Sequence, residues 1–165
     1  MICDDGWLKH SFGGAEKCWK LLEKSTASYA RERCLDVGGE LILPTSDREN
    51  RDMKRIMTAF GVTTYVHLRA TDVIVEGEWT DSASDQPITY THWKPTQPDN
   101  WGGIMHYAIS DTNGNWIDEK SWFSAHPLCQ KLDKPGCFYV TLFVITDFRA
   151  LGSRRFLVHF QLWRS

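Results

Sequence analysis

Several features that mark other classes of protein are missing from this chain. Its 165 residues hold no block of like charge, and the formal net charge is −2. Electrostatic capture of nucleic acid or of an anionic membrane therefore has no basis in composition. No apolar run approaches the roughly 20 residues that cross a bilayer; the longest, from Cys137 to Ile145, is far shorter, so no membrane span is expected. The absence of a Cys-x-x-Cys pair disfavours a zinc ribbon and a thioredoxin-type redox centre. No Gly-x-Ser-x-Gly elbow occurs either, and a set such as Ser110, His106 and Asp118 can be picked from any chain of this length, so the protein reads as no enzyme. The chain begins Met1-Ile2-Cys3-Asp4-Asp5 with neither a basic nor an apolar signal region.

What is present is a high share of rings and five cysteines. Aromatic residues make up 13% of the chain, with eight Trp, which fits a compact extracellular fold with rings in core and loops. Cys3, Cys18, Cys34, Cys129 and Cys137 read as disulfide partners in an oxidising compartment. The expected location is therefore secreted or extracellular, after removal of a leader. A bridge from Cys34 to Cys129 would close a loop of roughly 100 residues, worth about 4 to 5 kcal/mol in the chain-entropy model, and one from Cys3 to Cys18 about 15 residues, worth about 3 kcal/mol. Cys137 is then left over, a candidate for a bridge to a second copy.

Charge divides the chain unevenly. Up to residue 130 there are 19 Asp and Glu against 13 Lys and Arg, and beyond it 2 against 6. The expected organisation is one domain over 1–131 and a C-terminal extension over 132–165, with an added hairpin as one possible form.

Periodicity outlines the domain. A strand is expected at Trp19–Leu22 after the Gly13-Gly14 turn, and a helix over Thr26–Val37, where Tyr29, Ala30, Arg33 and Cys34 share a face and Gly38-Gly39 stops it. Leu41–Leu43 reads as a strand. Ser46 with Glu49 forms a capping box for a second helix, whose apolar stripe is Met53, Ile56, Met57 and Phe60. Strands follow at Tyr65–Leu68 and Gly77–Thr80, then a long structured loop through Asn115. Within it His106–Ser110 pairs with Trp116–Asp118 across the turn Asp111–Gly114, and Leu128–Leu132 closes the domain.

The chemistry concentrates in Gln97-Pro98-Asp99-Asn100-Trp101-Gly102-Gly103, followed by Trp116-Ile117-Asp118. An amide, a proline suited to a cis bend, a carboxylate and a flat indole offer oxygen ligands and an apolar face within five residues. That set suits a polyhydroxylated ring, against the plainer reading of a polar turn. His92 and His106 flank the loop without regular metal-ligand spacing and read as hydrogen-bonded or surface histidines.

Taken together, residues 3 to about 131 resemble the C-type lectin-like domain family. The pieces fall in the family's order: Cys3-Asp4-Asp5-Gly6-Trp7, Ala30 to Cys34 with Gly38-Gly39, Tyr65-Val66-His67-Leu68, Gly77-Glu78-Trp79-Thr80-Asp81, Tyr90-Thr91-His92-Trp93, Trp116-Ile117-Asp118 and Cys129. The resemblance implies an α+β fold in which two helices pack on small antiparallel sheets beside a long structured loop region. It implies a carbohydrate-binding module, and Gln-Pro-Asp is the family's motif for galactose-type ligands. On this basis Gln97, Asp99, Asn100, Trp101 and Asp118 form the sugar site, with Trp101 stacked on galactose or N-acetylgalactosamine. The implied partners are glycans or glycoproteins with terminal galactose.

Calcium ligation carries over only in part. Gln97, Asp99 and Asp118 match ligand positions, whereas Met105 and Ile117 stand where the family has oxygen ligands. Each loss at about 1.4 kcal/mol lowers affinity tenfold, which moves a weak extracellular site to about 10 mM or weaker. Calcium is thus expected to bind weakly or not at all. The family's inner disulfide is absent, because Tyr107 and Ser121 occupy its positions. The competing function is a metal-independent protein-interaction module on the same scaffold.

Overall fold

A computed structural model of the protein describes residues 2–131. The extension expected over 132–165, its hairpin and Cys137 lie outside the described residues.

The chain opens with β1 (Leu8–Phe12) and β2 (Ala15–Leu21), paired antiparallel from Leu8↔Trp19 to Phe12↔Ala15. Gly13 and Gly14 turn the hairpin at φ of 63° and 95°, where a side chain would strain the backbone. The sequence reading placed a strand only at Trp19–Leu22 and missed β1, because Phe12 is the one buried side chain of that strand. β3 (Ser25–Thr26) leads into α1 (Ala27–Asp36), which buries Ala27, Ala30 and Cys34. Tyr29, expected on the inner face, is exposed instead.

β4 is Gly39–Leu41 rather than Leu41–Leu43. Ile42 donates to Leu128 O (3.0 Å) and accepts from Arg69 N–H (2.9 Å), so it bridges two strands as the chain leaves the ladder. α2 (Asp47–Ala59) begins at Ser46, whose hydroxyl accepts from Glu49 N–H at 3.3 Å. The returning arm of the expected box shifts by one residue. Glu49 takes the N–H and hydroxyl of Thr45, both at 2.7 Å. Met53, Ile56 and Met57 are buried as expected, and Phe60 packs at the edge of the same core.

β5 (Tyr65–Thr71) runs through the centre, followed by β6 (Thr80–Asp81) and β7 (Gln86–Pro87). The strand expected at Gly77–Thr80 contracts to its last residue. Asp72 Oδ2 holds Gly77 N–H at 2.9 Å and Val75 O holds Glu78 N–H at 3.0 Å, which folds residues 72–78 into their own turn. After a short 3-10 turn, Trp101–Gly103, come β8 (Met105–Asp111), β9 (Trp116–Lys120) and β10 (Ser124–Lys131). The β8–β9 hairpin is the one read from the sequence, and β10 starts earlier than Leu128.

The strands follow the path β1-β2-β10-β5-β6-β7, with β3 and β4 on β10, and β8 joining β5 to β9. This is the C-type lectin fold that the resemblance implied. One pairing departs from the antiparallel rule: β10 runs parallel to β5 over His126↔Val66 and Pro127↔His67. Disulfides Cys3–Cys18 and Cys34–Cys129 form, with Cα atoms 5.6 and 5.3 Å apart. The second ties α1 to β10 beneath a small core of Trp7, Ala30 and Leu41.

The larger core is built on Trp19, α2, Val66, Leu68 and Trp116, and it also anchors the loop. Trp93 packs edge-on against Trp79 (4.6 Å) and Trp116 (5.7 Å), and Tyr90 against Trp116 (5.9 Å). Trp116 Nε1 donates to Asn50 Oδ1 at 3.1 Å, while Asn50 Nδ2 donates to Gly114 O at 3.0 Å. Backbone bonds Trp116 N–H to His92 O (2.8 Å) and Lys94 N–H to Trp116 O (2.9 Å) then launch the chain toward Gln97.

Candidate functional site

The Gln97-Pro98 bond is cis, and Thr96 and Asn100 on either side have φ of 73° and 41°. A β-branched residue in the left-handed region costs on the order of 1 to 3 kcal/mol, so the surroundings must hold it there. Asp118 on β9 supplies much of that restraint. It is 2% exposed, and its two oxygens accept from Asp99 N–H (3.2 Å) and Asn100 N–H (2.7 Å). Its own N–H donates back to Gln97 Oε1 at 3.1 Å.

The remaining groups complete a closed circuit. Gln97 Nε2 donates to Asp99 Oδ2 (2.9 Å), and Asp99 Oδ1 accepts from Trp101 N–H (3.0 Å). Asn100 Oδ1 accepts from Met105 N–H at 3.1 Å. All five sequence-chosen residues are thus brought together, but the oxygens of Gln97, Asp99, Asn100 and Asp118 each already accept an internal hydrogen bond.

That arrangement does not fit calcium, which takes about six to eight oxygens at 2.3–2.6 Å. Met105, buried at 9% exposure, offers a thioether where an oxygen is needed, and Ile117 offers none. Asp111 and Asn115, which could offer substitute oxygens, are engaged at the hairpin tip: Asp111 accepts from Asn113 N–H, Asn115 N–H and Asn115 Nδ2. Next to Asp118 on β9, Glu119 is half-buried. Burial raises its carboxyl above the ordinary range, and the charges of Asp118 and Asp99 push the same way.

Trp101 is 68% exposed and presents an indole at the rim of the loop. Sequence reasoning missed two companions. Trp122, 60% exposed, lies just beyond β9, and Lys120 Nζ sits 5.4 Å from the Trp101 ring and 5.8 Å from the Trp122 ring. One ammonium thus steadies two solvent-facing indoles by cation–π attraction, worth about 0.5 to 1 kcal/mol at an exposed site. The spacing Lys120-x-Trp122 was the available signal, but an isolated Trp past a strand reads equally as packing.

His92 accepts from Trp116 N–H through its backbone and is exposed. His106 stands on β8 with Nδ1 3.1 Å from Asp72 Oδ1, apart from the Gln97 loop's circuit, and is hydrogen-bonded as the sequence reading held. The buried His67 was not singled out. Burial foremost lowers its pKa from 6.5, and its Nε2 lies 2.9 Å from Ser25 O and 3.2 Å from Ala125 N.

Comparison with known proteins agrees with this architecture. The family model described as the Lectin C-type domain matches residues 23–132. Pulmonary surfactant-associated protein D of Sus scrofa is 32% identical over 112 residues, 65% of this chain and 29% of that protein. Perlucin of Haliotis laevigata is 29% identical over 116 residues, 68% of this chain and 74% of perlucin. The chain therefore spans less than a third of the first relative's length. The solved carbohydrate-recognition domain of the mouse scavenger receptor C-type lectin superposes with a TM-score of 0.68 at 26% identity, covering 79% of this chain and 98% of that one.

Proposed function

The chain belongs to the C-type lectin domain family, and from that premise we propose that it is an extracellular carbohydrate-recognition module that binds galactose or N-acetylgalactosamine without calcium. The observation that carries the reading is Trp101: an indole 68% exposed on a loop whose backbone is fixed by a buried acid. A pyranose with a continuous apolar face stacks on such a ring, and stacking needs no metal. Gln97, Asp99 and Asn100 lie beside it, and their remaining lone pairs and amide hydrogens meet the ring hydroxyls. Asp118 acts from beneath by holding the loop.

Extracellular placement rests on the two disulfides, which persist in oxidising compartments. A single weak site of this kind gains avidity through multivalent display, and Cys137 offers one covalent route to it.

Calorimetry with galactose tests the proposal, run once with calcium and once with chelator. The expected result is the same heat in both, abolished in Trp101→Ala. Heat only with calcium overturns metal independence. Silence in both arms favours the second reading, a protein-interaction module, for which the internally engaged oxygens of Gln97, Asp99 and Asp118 speak.

A further inference from the structure

Two exposed indoles at the rim of the loop share one cation. Lys120 is the last residue of β9, and alternation along the strand turns it to the same side as Asp118, two residues earlier. Its Nζ lies 5.4 Å from the Trp101 ring and 5.8 Å from the Trp122 ring. Lys9, Arg31, Arg55 and Arg69 each pair with a carboxylate, whereas among the described residues no carboxylate pairs with Lys120. An ammonium has three donors and no acceptor, so these stay available to a ligand.

The backbone under the trio is fixed. Trp101 N–H is held by Asp99 Oδ1 at 3.0 Å. Trp122 projects from a turn closed by Phe123 N–H on Lys120 O at 3.0 Å and tied to α1 by Ser28 N–H on Ser121 O at 3.1 Å. Phe123 packs edge-on against Tyr65 of β5, with ring centroids 5.8 Å apart. Lys120 does not serve as a cover for the rings, because both indoles remain more than half open to solvent.

The acids nearby are already engaged. Asp118 is buried, with its oxygens on the Asp99 and Asn100 N–H groups. Asp99 accepts from Gln97 Nε2 and Trp101 N–H. Glu119 is half-buried, with Oε2 on the Lys120 backbone N–H at 3.3 Å. The rim thus pairs two apolar plates with an unmatched positive charge.

We propose that Lys120 and Trp122 form an anion subsite beside Trp101, and that the ligand is an acidic galactoside with a sulfate ester or carboxylate on the galactose or on the sugar joined to it. This rests on the galactose reading and adds the charge of the ligand to it. Galactose lies on Trp101, the joined sugar meets the second indole, and the anionic group takes charge-assisted hydrogen bonds from the ammonium. A pair this exposed is screened by salt, so the preference is sensitive to ionic strength.

Calorimetry on the full chain tests it with lactose, with lactose sulfated on the primary or on a secondary hydroxyl of its galactose, and with sialyllactose, each at low and high salt. The expected result is an acidic form bound about fivefold tighter than lactose at low salt. That ratio should shrink with salt, fall to about one in Lys120→Met, survive in Lys120→Arg and drop in Trp122→Ala. A gain with the sulfated forms alone assigns a sulfate ester, and one with sialyllactose alone a carboxylate. Lactose binding with no gain for any acidic form overturns this inference and leaves the galactose reading standing. A gain that persists in Lys120→Met overturns it as well. Acidic forms bound alone, and lost in Lys120→Met, keep the anion subsite and remove the reading of neutral galactose; silence with every probe overturns both.

Discussion

The two ends of the domain are held by different physics. At one end, α1, β2, β4 and β10 are joined by Cys3–Cys18 and Cys34–Cys129 and closed over buried Trp7, Ala30 and Leu41. At the other, the Gln97–Trp101 loop has no covalent tie, and Tyr107 and Ser121 stand where the resemblance has a second pair of cysteines. Its shape depends on Asp118, Asp99, Asn100 and Gln97 bonding to backbone N–H groups and to each other. A staple acts mainly by restricting the unfolded chain, whereas a polar circuit acts in the folded state and fails locally. The loop proposed for recognition is the part held by the polar circuit alone.

The largest effect that tests this contrast is at the staple. Cys34→Ser, which leaves Cys129 unpaired, should cost about 4.7 kcal/mol in urea denaturation, the chain-entropy value for its 95-residue separation. A loss under about 1 kcal/mol would show that the bridge is not what holds this end. Asp118→Ala comes next, at about 3 kcal/mol, from two hydrogen bonds to a charged acceptor. Hydrogen exchange should quicken at Asp99 and Asn100 while α1 amides keep their protection. Equal loss of protection in α1 would make the two ends one cooperative unit.

Smaller still is Ser46→Ala, which removes the N-cap of α2 at about 1 kcal/mol and should leave galactose binding unchanged. The smallest is a slope with pH. The pKa of His67 is lowered in the folded state from 6.5 by burial, so protonation favours the unfolded chain. Its stability contribution is present above about 6.5 and is lost as pH falls through the folded value. Denaturation at pH 7.5 and 5.5 should show the loss, and His67→Gln should flatten it. A slope unchanged in that variant assigns the effect to other groups.

Much of the scaffold was readable in the chain. α2 was marked by Ser46, Glu49 and a stripe at helical spacing, and the β8–β9 hairpin by its Asp111–Gly114 turn, because these signals are local. β1 was not readable, since its neighbours are supplied by β2 and one buried Phe12 leaves no alternation. The strand expected at Gly77–Thr80 failed for the opposite reason: Asp72 captures Gly77 N–H and overrides local propensity. At the site, Gln97 to Trp101 and Asp118 were legible by residue type and order. Trp122 and Lys120 were not, because their relation to Trp101 exists only once β9 passes beneath the loop.

The sequence by itself determined the family and the kind of groups available: cysteines at the right separations, an indole after Gln-Pro-Asp, and the missing oxygens at Met105 and Ile117. Only the tertiary structure decided what those groups do. Residue type left Asp118 readable as a ligand or as a brace, and the fold is what sets its two oxygens on the Asp99 and Asn100 N–H groups. Trp101 and Trp122, far apart in the chain, share one ammonium only because β9 passes beneath the loop. Residue type is a property of the chain, but the competition among donors for each oxygen is settled by distances between segments, which no local pattern encodes.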